Sequence, residues 1–204
     1  MPIFFICTLI FVAWLWYERN KHNRLQEKQT DAFWQREEEA NHTRNKDISN
    51  LPYLHMEMDE IPGKDNSDSE IATLWNELDE LAKQPMLNLS SYTNTDLKLA
   101  YGVGNFARLS GYDDNYNKFL VKLSILARRF SDIQENETAI SCYRLALSYG
   151  SKKLKDYTSL GELYIKTDQP EKLSALITEL SKDETIPRKE AILRNLKEIL
   201  ATYQ

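Results

Sequence analysis

The sequence predicts an all-α protein, in which an apolar N-terminal helix precedes a small domain of about seven helices. Only six glycines and six prolines occur in 204 residues, which argues against a fold built on many tight turns. From residue 67 onward, apolar residues recur every three or four positions, as they do in amphipathic helices that share a core. The low content of turn-forming residues and the helical periodicity together predict the all-α fold.

Residues 1–17, MPIFFICTLIFVAWLWY, contain no charged side chain and predict a single-pass transmembrane anchor. A helix of this length spans about 25 Å, slightly less than a hydrocarbon core of about 30 Å. Trp14, Trp16 and Tyr17 lie at its end, where amphipathic rings favour the headgroup region. A cleaved signal peptide is the alternative, but the segment lacks a basic start and a small-residue cleavage site.

Residues next to this segment predict its orientation and two connecting regions. Four Lys or Arg residues lie between residues 18 and 30 and none lies before the segment, which favours a cytoplasmic location for the bulk of the chain. Residues 18–50 are polar and rich in helix-forming residues, so they predict a helical juxtamembrane stalk. Residues 51–66 begin with LPYLHMEMDEIP, whose alternation predicts an extended arm that packs on the helices or fills the domain's own groove.

Helices are predicted from residue 67 to the C-terminus. Residues 67–70, SDSE, have the pattern of a capping box and open a helix that ends before Pro85. A second helix is predicted from about residue 95 to Gly111, which makes residues 67–112 a degenerate helix pair. The next helix starts at Asp113 or Asp114, and the remaining helices are predicted near 135–150, 153–167, 169–182 and 187–203.

Large apolar, small and aromatic residues recur 34 positions apart in this C-terminal region. The first set is Leu123, Leu126, Ala127, Phe130, Ala139, Tyr143 and Ala146, and the second is Tyr157, Leu160, Gly161, Tyr164, Leu173, Ile177 and Leu180. The small residues Ala127 and Gly161 are expected to let neighbouring helices approach closely. Since Leu173 and Leu180 replace alanines of the first set, the helix that carries them is expected to lie further out.

This spacing resembles the tetratricopeptide repeat family over about a third of the chain, and an unrelated pair of helical hairpins is the alternative. The resemblance implies two repeats, about 120–153 and 154–187, in a domain of residues 113–204 that ends with a capping helix. The order of anchor, stalk and repeat domain is similar to that of small bacterial membrane-anchored tetratricopeptide repeat proteins.

The resemblance also implies a concave groove, lined by the first helix of each repeat, that binds an extended or helical peptide. The matching positions in this sequence are Val121, Ser124, Arg128, Ser131, Lys155, Thr158, Glu162 and Ile165. Chaperone-binding members hold a terminal carboxylate with Lys, Asn and Arg at such positions, and this set is absent here. A different peptide or protein partner is therefore expected.

The predicted function is a membrane-tethered, non-enzymatic scaffold or adaptor that binds a protein partner. A structural subunit of a larger membrane assembly is the alternative. Residues 102–107, GVGNFA, fit a loose dinucleotide-binding pattern, but no strand is predicted before them. Their glycines are instead expected to permit a close helix crossing.

Charge and composition argue against other classes of function. The net charge is −5, and no clustered basic stripe is present that would bind the phosphates of a nucleic acid. Two cysteines and three isolated histidines are too few for a zinc cluster or a disulfide framework. No catalytic residue, metal, cofactor or small-molecule substrate is therefore expected.

Overall fold

The computed structural model of the protein describes residues 2–203. Met1 of the predicted anchor and Gln204 of the predicted repeat domain lie outside the described residues. Within that range every regular secondary-structure element is a helix, which confirms the all-α class. The helices are α1 (Pro2–His42), α2 (Ser69–Ala82), α3 (Asn94–Tyr101), α4 (Val103–Asp132), α5 (Asn136–Ser148), α6 (Leu154–Lys166), α7 (Pro170–Lys182) and α8 (Lys189–Tyr203), with a short 3₁₀ helix at Met58–Glu60.

Contacts divide the chain into two compact units. The first contains the residues up to Leu51 together with Leu89–Ser110, and the second contains Pro52–Asn88 together with the residues from Gly111 onward. Helix α2 therefore belongs to the second unit and α3 to the first. Helix α4 contributes its first turns to the first unit and the rest of its length to the second.

In the first unit, the C-terminal half of α1 packs on α3 through polar side chains. Arg36 Nη2 lies 2.6 Å from Asp96 Oδ1, and Lys98 Nζ lies 3.1 Å from Glu37 Oε2. Thr95 also donates to Glu37, and the hydrogen bonds from Thr95 and Lys98 lower the pKa of the Glu37 carboxyl. Among the described residues, no helix has both the length and the hydropathy that crossing a membrane requires.

Gly102 separates α3 from α4, whereas the sequence predicted that the helix ends at Gly111 and that the next one begins at Asp113 or Asp114. That prediction is wrong, because Gly111 lies inside α4 with open space where a Cβ would be. Gly102 has a φ of 90°, and a Cβ on it would lie 2.5 Å from Cα of Asn45. The Gly104 N–H donates to Asn45 Oδ1 at 2.8 Å. Gly102 and Gly104 therefore make room for the non-helical segment that follows α1. The prediction that these glycines permit a close crossing of two helices is also wrong.

In the second unit, the residues predicted as an extended arm pack on the helices. Met56 and Ile61 are buried in the core of this unit. The Leu54 N–H donates to the Met86 carbonyl at 2.9 Å, and Trp75 Nε1 donates to the Ile61 carbonyl at 3.0 Å. The arm is therefore held by backbone hydrogen bonds as well as by buried apolar side chains.

Helix α2 is held against α4 by ion pairs along its length. Its N-cap is Asp68, and not the first serine of the predicted capping box, since the Asp68 carboxylate accepts from two backbone N–H groups of the first turn. Arg129 of α4 donates to Asp68 at 2.6 Å, and this hydrogen bond lowers the pKa of the Asp68 carboxyl. Lys122 of α4 lies 2.7 Å from Glu77. As Arg129 meets the start of α2 and Lys122 its middle, the two helices run antiparallel.

The turns that join α4 to α5 and α6 to α7 have the same conformation 34 residues apart. Gln134 and Asp168 adopt left-handed backbone conformations, with φ of 66° and 58°. The Glu135 N–H donates to the Phe130 carbonyl at 2.9 Å, and the Gln169 N–H donates to the Tyr164 carbonyl at 2.7 Å. These are hydrogen bonds of a Schellman motif, which ends a helix with a left-handed residue. The 34-residue spacing of the sequence pattern therefore recurs in the backbone conformation of these two turns.

Candidate functional site

Helix α6 lies at the centre of the second unit and packs against α5, α7 and α8. Gly161 marks the closest approach, because a Cβ there would lie 2.8 Å from Leu196 Cδ2 of α8 and 3.3 Å from Leu173 Cδ1 of α7. Both leucines are fully buried. The absence of a side chain at residue 161 thus sets how close α8 and α7 come to α6.

Four of the eight predicted groove residues line a single cleft between α4 and α6, named here the α4–α6 cleft. Arg128 and Ser131 of α4 face Lys155 and Glu162 of α6 across a volume of about 420 Å³. Glu162 also lines a shallow depression of about 340 Å³ together with Thr158 and residues of α8. Helices α4, α6 and α8 therefore contribute to neighbouring hollows.

The other three predicted groove residues lie outside these two hollows. Val121 is exposed, with 43% of its surface accessible. The Ser124 hydroxyl donates to the Leu120 carbonyl at 2.8 Å and lies 2.9 Å from Asp156 Oδ2. Ile165 is half-buried and packs against the core. Ser124 and Ile165 thus have internal contacts, which spacing along the sequence does not reveal.

The α4–α6 cleft carries charges of both signs. Its lining includes three cations and two carboxylates, and Arg128 Nε lies 4.0 Å from Asp132 Oδ2. Tyr143 also lines the cleft, and burial raises the pKa of its phenol, so the hydroxyl is neutral at ordinary pH. The charged lining residues are Arg128, Lys155, Lys166, Asp132 and Glu162.

Sequence reasoning missed a buried carboxylate directly behind this surface. Asp156, only 2% exposed, accepts a hydrogen bond from the Ser151 hydroxyl, and the Ser124 Oγ lies 2.9 Å from the same carboxylate oxygen. The three residues come from α4, the turn after α5, and α6, so no local pattern predicts their meeting. This cluster fixes α6 against α4 and thereby positions both walls of the α4–α6 cleft.

Replacing Asp156 by alanine is expected to lower the free energy of unfolding by about 2 kcal/mol, since the buried hydroxyl of Ser151 loses its acceptor. Urea denaturation followed by circular dichroism measures the change. Asp156→Asn keeps one acceptor oxygen and should cost less. Glu162→Ala on the exposed face of α6 is the control and should leave the midpoint nearly unchanged. Equal midpoints for Asp156→Ala and the control would contradict this role.

The N-terminal part of α1 exposes many large apolar side chains among the described residues. Its large apolar side chains between residues 4 and 17 are exposed by 46% to 80%. In general, exposed apolar patches occur at membrane or protein contacts, in ligand-binding grooves and at sites of aggregation. The side chains are Phe4, Phe5, Ile6, Leu9, Ile10, Phe11, Val12, Trp14, Leu15, Trp16 and Tyr17.

The cysteines and acidic residues do not form a metal centre in the part of the chain that the structure describes. No group of three or more His, Cys, Asp or Glu side chains is placed to hold a metal ion there. Cys142 is buried, and burial raises the pKa of its thiol to about 12, which keeps it protonated.

Comparison of the chain with protein families, curated proteins and solved structures finds no match in any of the three. The class of the protein is therefore defined by its own geometry. It is an all-α protein with two helical hairpins whose turns repeat at 34 residues, preceded by a helix that begins with an exposed apolar surface.

Proposed function

We propose that this protein is a non-enzymatic, membrane-tethered scaffold, which binds a peptide or partner protein along α4, α6 and α8. The observation that carries the proposal is the α4–α6 cleft, where residues of two helices one repeat apart face each other. The 34-residue spacing of the turns supports a tetratricopeptide-like stacking of the hairpins. In such a stack, equivalent helices form one surface that a peptide can follow.

The exposed apolar surface of α1 supports the membrane part of the proposal. Side chains such as Phe4, Ile10 and Trp16 cover the helix on all sides and would be costly to leave in water. Inserting this surface among lipid chains removes that cost, with Trp14, Trp16 and Tyr17 at the headgroup level. The basic residues that follow favour the cytoplasmic side for the rest of the chain.

Flotation of the full-length protein with phosphatidylcholine vesicles tests this attachment. The unchanged protein is expected to float with the vesicles, and Ile10→Asp combined with Leu15→Asp should abolish flotation. Each buried carboxylate costs about 3 kcal/mol near the centre of a bilayer. The matched control is Gln26→Asp with Gln29→Asp, which adds the same charge to an exposed polar part of α1. Flotation of the Ile10→Asp, Leu15→Asp variant would contradict membrane insertion.

Protease protection in intact cells tests the proposed orientation. A tag placed after the last residue is expected to stay intact when protease is added outside the cells. It should be degraded once the membrane is permeabilised. Digestion in intact cells would place the helical units on the other side of the membrane.

Site-specific photocrosslinking in cells tests the binding surface. A photoreactive residue at position 162 is expected to capture a partner, whereas one at Ser141, on the exposed face of α5, should not. Arg128→Glu combined with Lys155→Glu should abolish the capture, because it reverses two charges that line the α4–α6 cleft. A stoichiometric complex that survives this double change would instead favour the structural subunit of a membrane assembly.

A further inference from the structure

Three cations lie on one face of α1, directly after its exposed apolar side chains. They are Lys21, Arg24 and Lys28, whose spacing of three and four residues places them on one side of the helix, named here the basic stripe. All three residues are exposed. Within the described chain, Arg24 and Lys28 form no ion pair, and Lys21 lies 4.0 Å from Glu18. Most of the charge of the basic stripe is therefore available to a partner.

The sign of the net charge changes with distance from the apolar part of α1. Residues 18–30 contain four Lys or Arg and two acidic residues, whereas residues 31–50 contain three Lys or Arg and five acidic residues. With histidine neutral, the net charge is +2 in the first range and −2 in the second. The surplus of cations is thus confined to the part of the chain that directly follows the apolar side chains.

The direction of α1 favours contact between the basic stripe and a lipid surface. In the proposed membrane attachment Tyr17 lies at the headgroup level, and the three cations follow it by about 6, 11 and 17 Å along the helix axis. Side chains of a helix lean towards its N-terminus, which in α1 is the apolar end. Long Lys and Arg side chains therefore extend back towards the headgroup layer, which is about 5–7 Å thick on each side of a bilayer.

We propose that the basic stripe binds the headgroups of anionic phospholipids, such as phosphatidylglycerol or phosphatidylserine, in the leaflet where the apolar part of α1 ends. This binding rests on the proposed membrane attachment. Clusters of Lys and Arg next to a membrane attract anionic lipid, and a guanidinium holds phosphate oxygens through paired N–H donors. Phosphatidylcholine carries the same phosphate together with a cation, so the stripe attracts it less. Anionic lipid is therefore enriched around α1.

Quenching of tryptophan fluorescence by brominated lipids tests this binding in the reconstituted full-length protein. Bromine quenches at short range, so Trp14 and Trp16 report which lipids surround the end of the apolar part of α1. A protein with Trp14→Phe and Trp16→Phe gives the background from the other two tryptophans. At equal mole fraction in phosphatidylcholine, brominated phosphatidylglycerol is expected to quench at least about twofold more strongly than brominated phosphatidylcholine. About 1 M salt should remove the difference, because the Debye length falls to about 3 Å.

Charge changes of opposite direction give a second readout. Lys21→Gln, Arg24→Gln and Lys28→Gln together should abolish the difference between the two brominated lipids. Glu18→Gln should enlarge it, because this change removes the carboxylate that lies 4.0 Å from Lys21. The matched control removes three positive charges from exposed positions of the second unit and should leave the difference unchanged. The control changes are Lys118→Gln, Lys153→Gln and Lys197→Gln.

The possible failures have different meanings. Equal quenching by the two brominated lipids would overturn anionic lipid binding and leave the membrane attachment standing, because both lipids still reach the tryptophans. Quenching by neither lipid would overturn the attachment and the lipid binding together. Loss of the difference when glycerol phosphate is added at constant ionic strength would assign the basic stripe to a soluble phosphate compound, and would also overturn lipid binding.

Discussion

Gly161→Leu is expected to lower the free energy of unfolding of the second unit by at least about 3 kcal/mol. A Cβ at residue 161 would already lie 2.8 Å from Leu196 Cδ2, and leucine adds three further carbon atoms. Overpacking of this kind typically costs about 1–3 kcal/mol, and here two neighbouring helices are displaced together. Since α6 forms one wall of the α4–α6 cleft, binding there should weaken as well. Urea denaturation followed by circular dichroism measures the effect.

Gly111→Ala is the matched control for this prediction. Gly111 is also helical, but no atom lies within 4 Å of the position of its Cβ. Alanine there should raise the free energy of unfolding by about 1 kcal/mol, the usual gain in helix propensity. If Gly161→Leu lowers the free energy of unfolding and Gly111→Ala raises it, packing at residue 161 is the cause of the destabilisation. A Gly161→Leu protein that unfolds at the unchanged urea concentration would contradict the close contact between α6 and α8.

Gly102→Ala is expected to destabilise the first unit by about 2–4 kcal/mol. Its φ of 90° disfavours any side chain, and a Cβ would meet Cα of Asn45 at 2.5 Å and the Arg44 carbonyl oxygen at 2.7 Å. Both neighbours are backbone atoms, so no change of rotamer relieves the clash. The segment after α1 should detach from the junction of α3 and α4.

Hydrogen exchange measured by mass spectrometry follows this detachment. The Lys46 N–H donates to the Tyr101 carbonyl at 3.0 Å, and the Gly104 N–H donates to Asn45. Peptides that contain these amides should exchange faster in Gly102→Ala, while peptides from α6 should exchange at the unchanged rate. Gly111→Ala serves again as the control, because it lies in the same helix as Gly104. Unchanged protection of Lys46 would show that the contact with Asn45 does not hold the segment.

Gly102, between α3 and α4, and Gly111, inside α4, illustrate what sequence reasoning cannot decide. A glycine after a helical run is a usual helix end, and both Gly102 and Gly111 satisfy that pattern. Only Gly102 has a positive φ, and the segment around Asn45 also occupies the space that a side chain there would need. That neighbour lies 57 residues away in the chain, so no local pattern distinguishes the two glycines.

The candidate site shows the same limit. The repeat spacing predicted eight groove residues. The structure places four of them in the α4–α6 cleft, namely Arg128, Ser131, Lys155 and Glu162. Ser124 satisfies the same spacing, yet its hydroxyl donates to the Leu120 carbonyl and lies against Asp156.

The sequence by itself determined the all-α class, the approximate position of most helices, the apolar start of α1 and the 34-residue spacing. These features follow from local physics, since periodicity, capping and turn residues act within a few positions along the chain. The tertiary structure alone decided which glycine ends a helix and which polar residues share a cleft. Those outcomes depend on the sizes and charges of side chains that meet across helices far apart in sequence, which no local pattern contains.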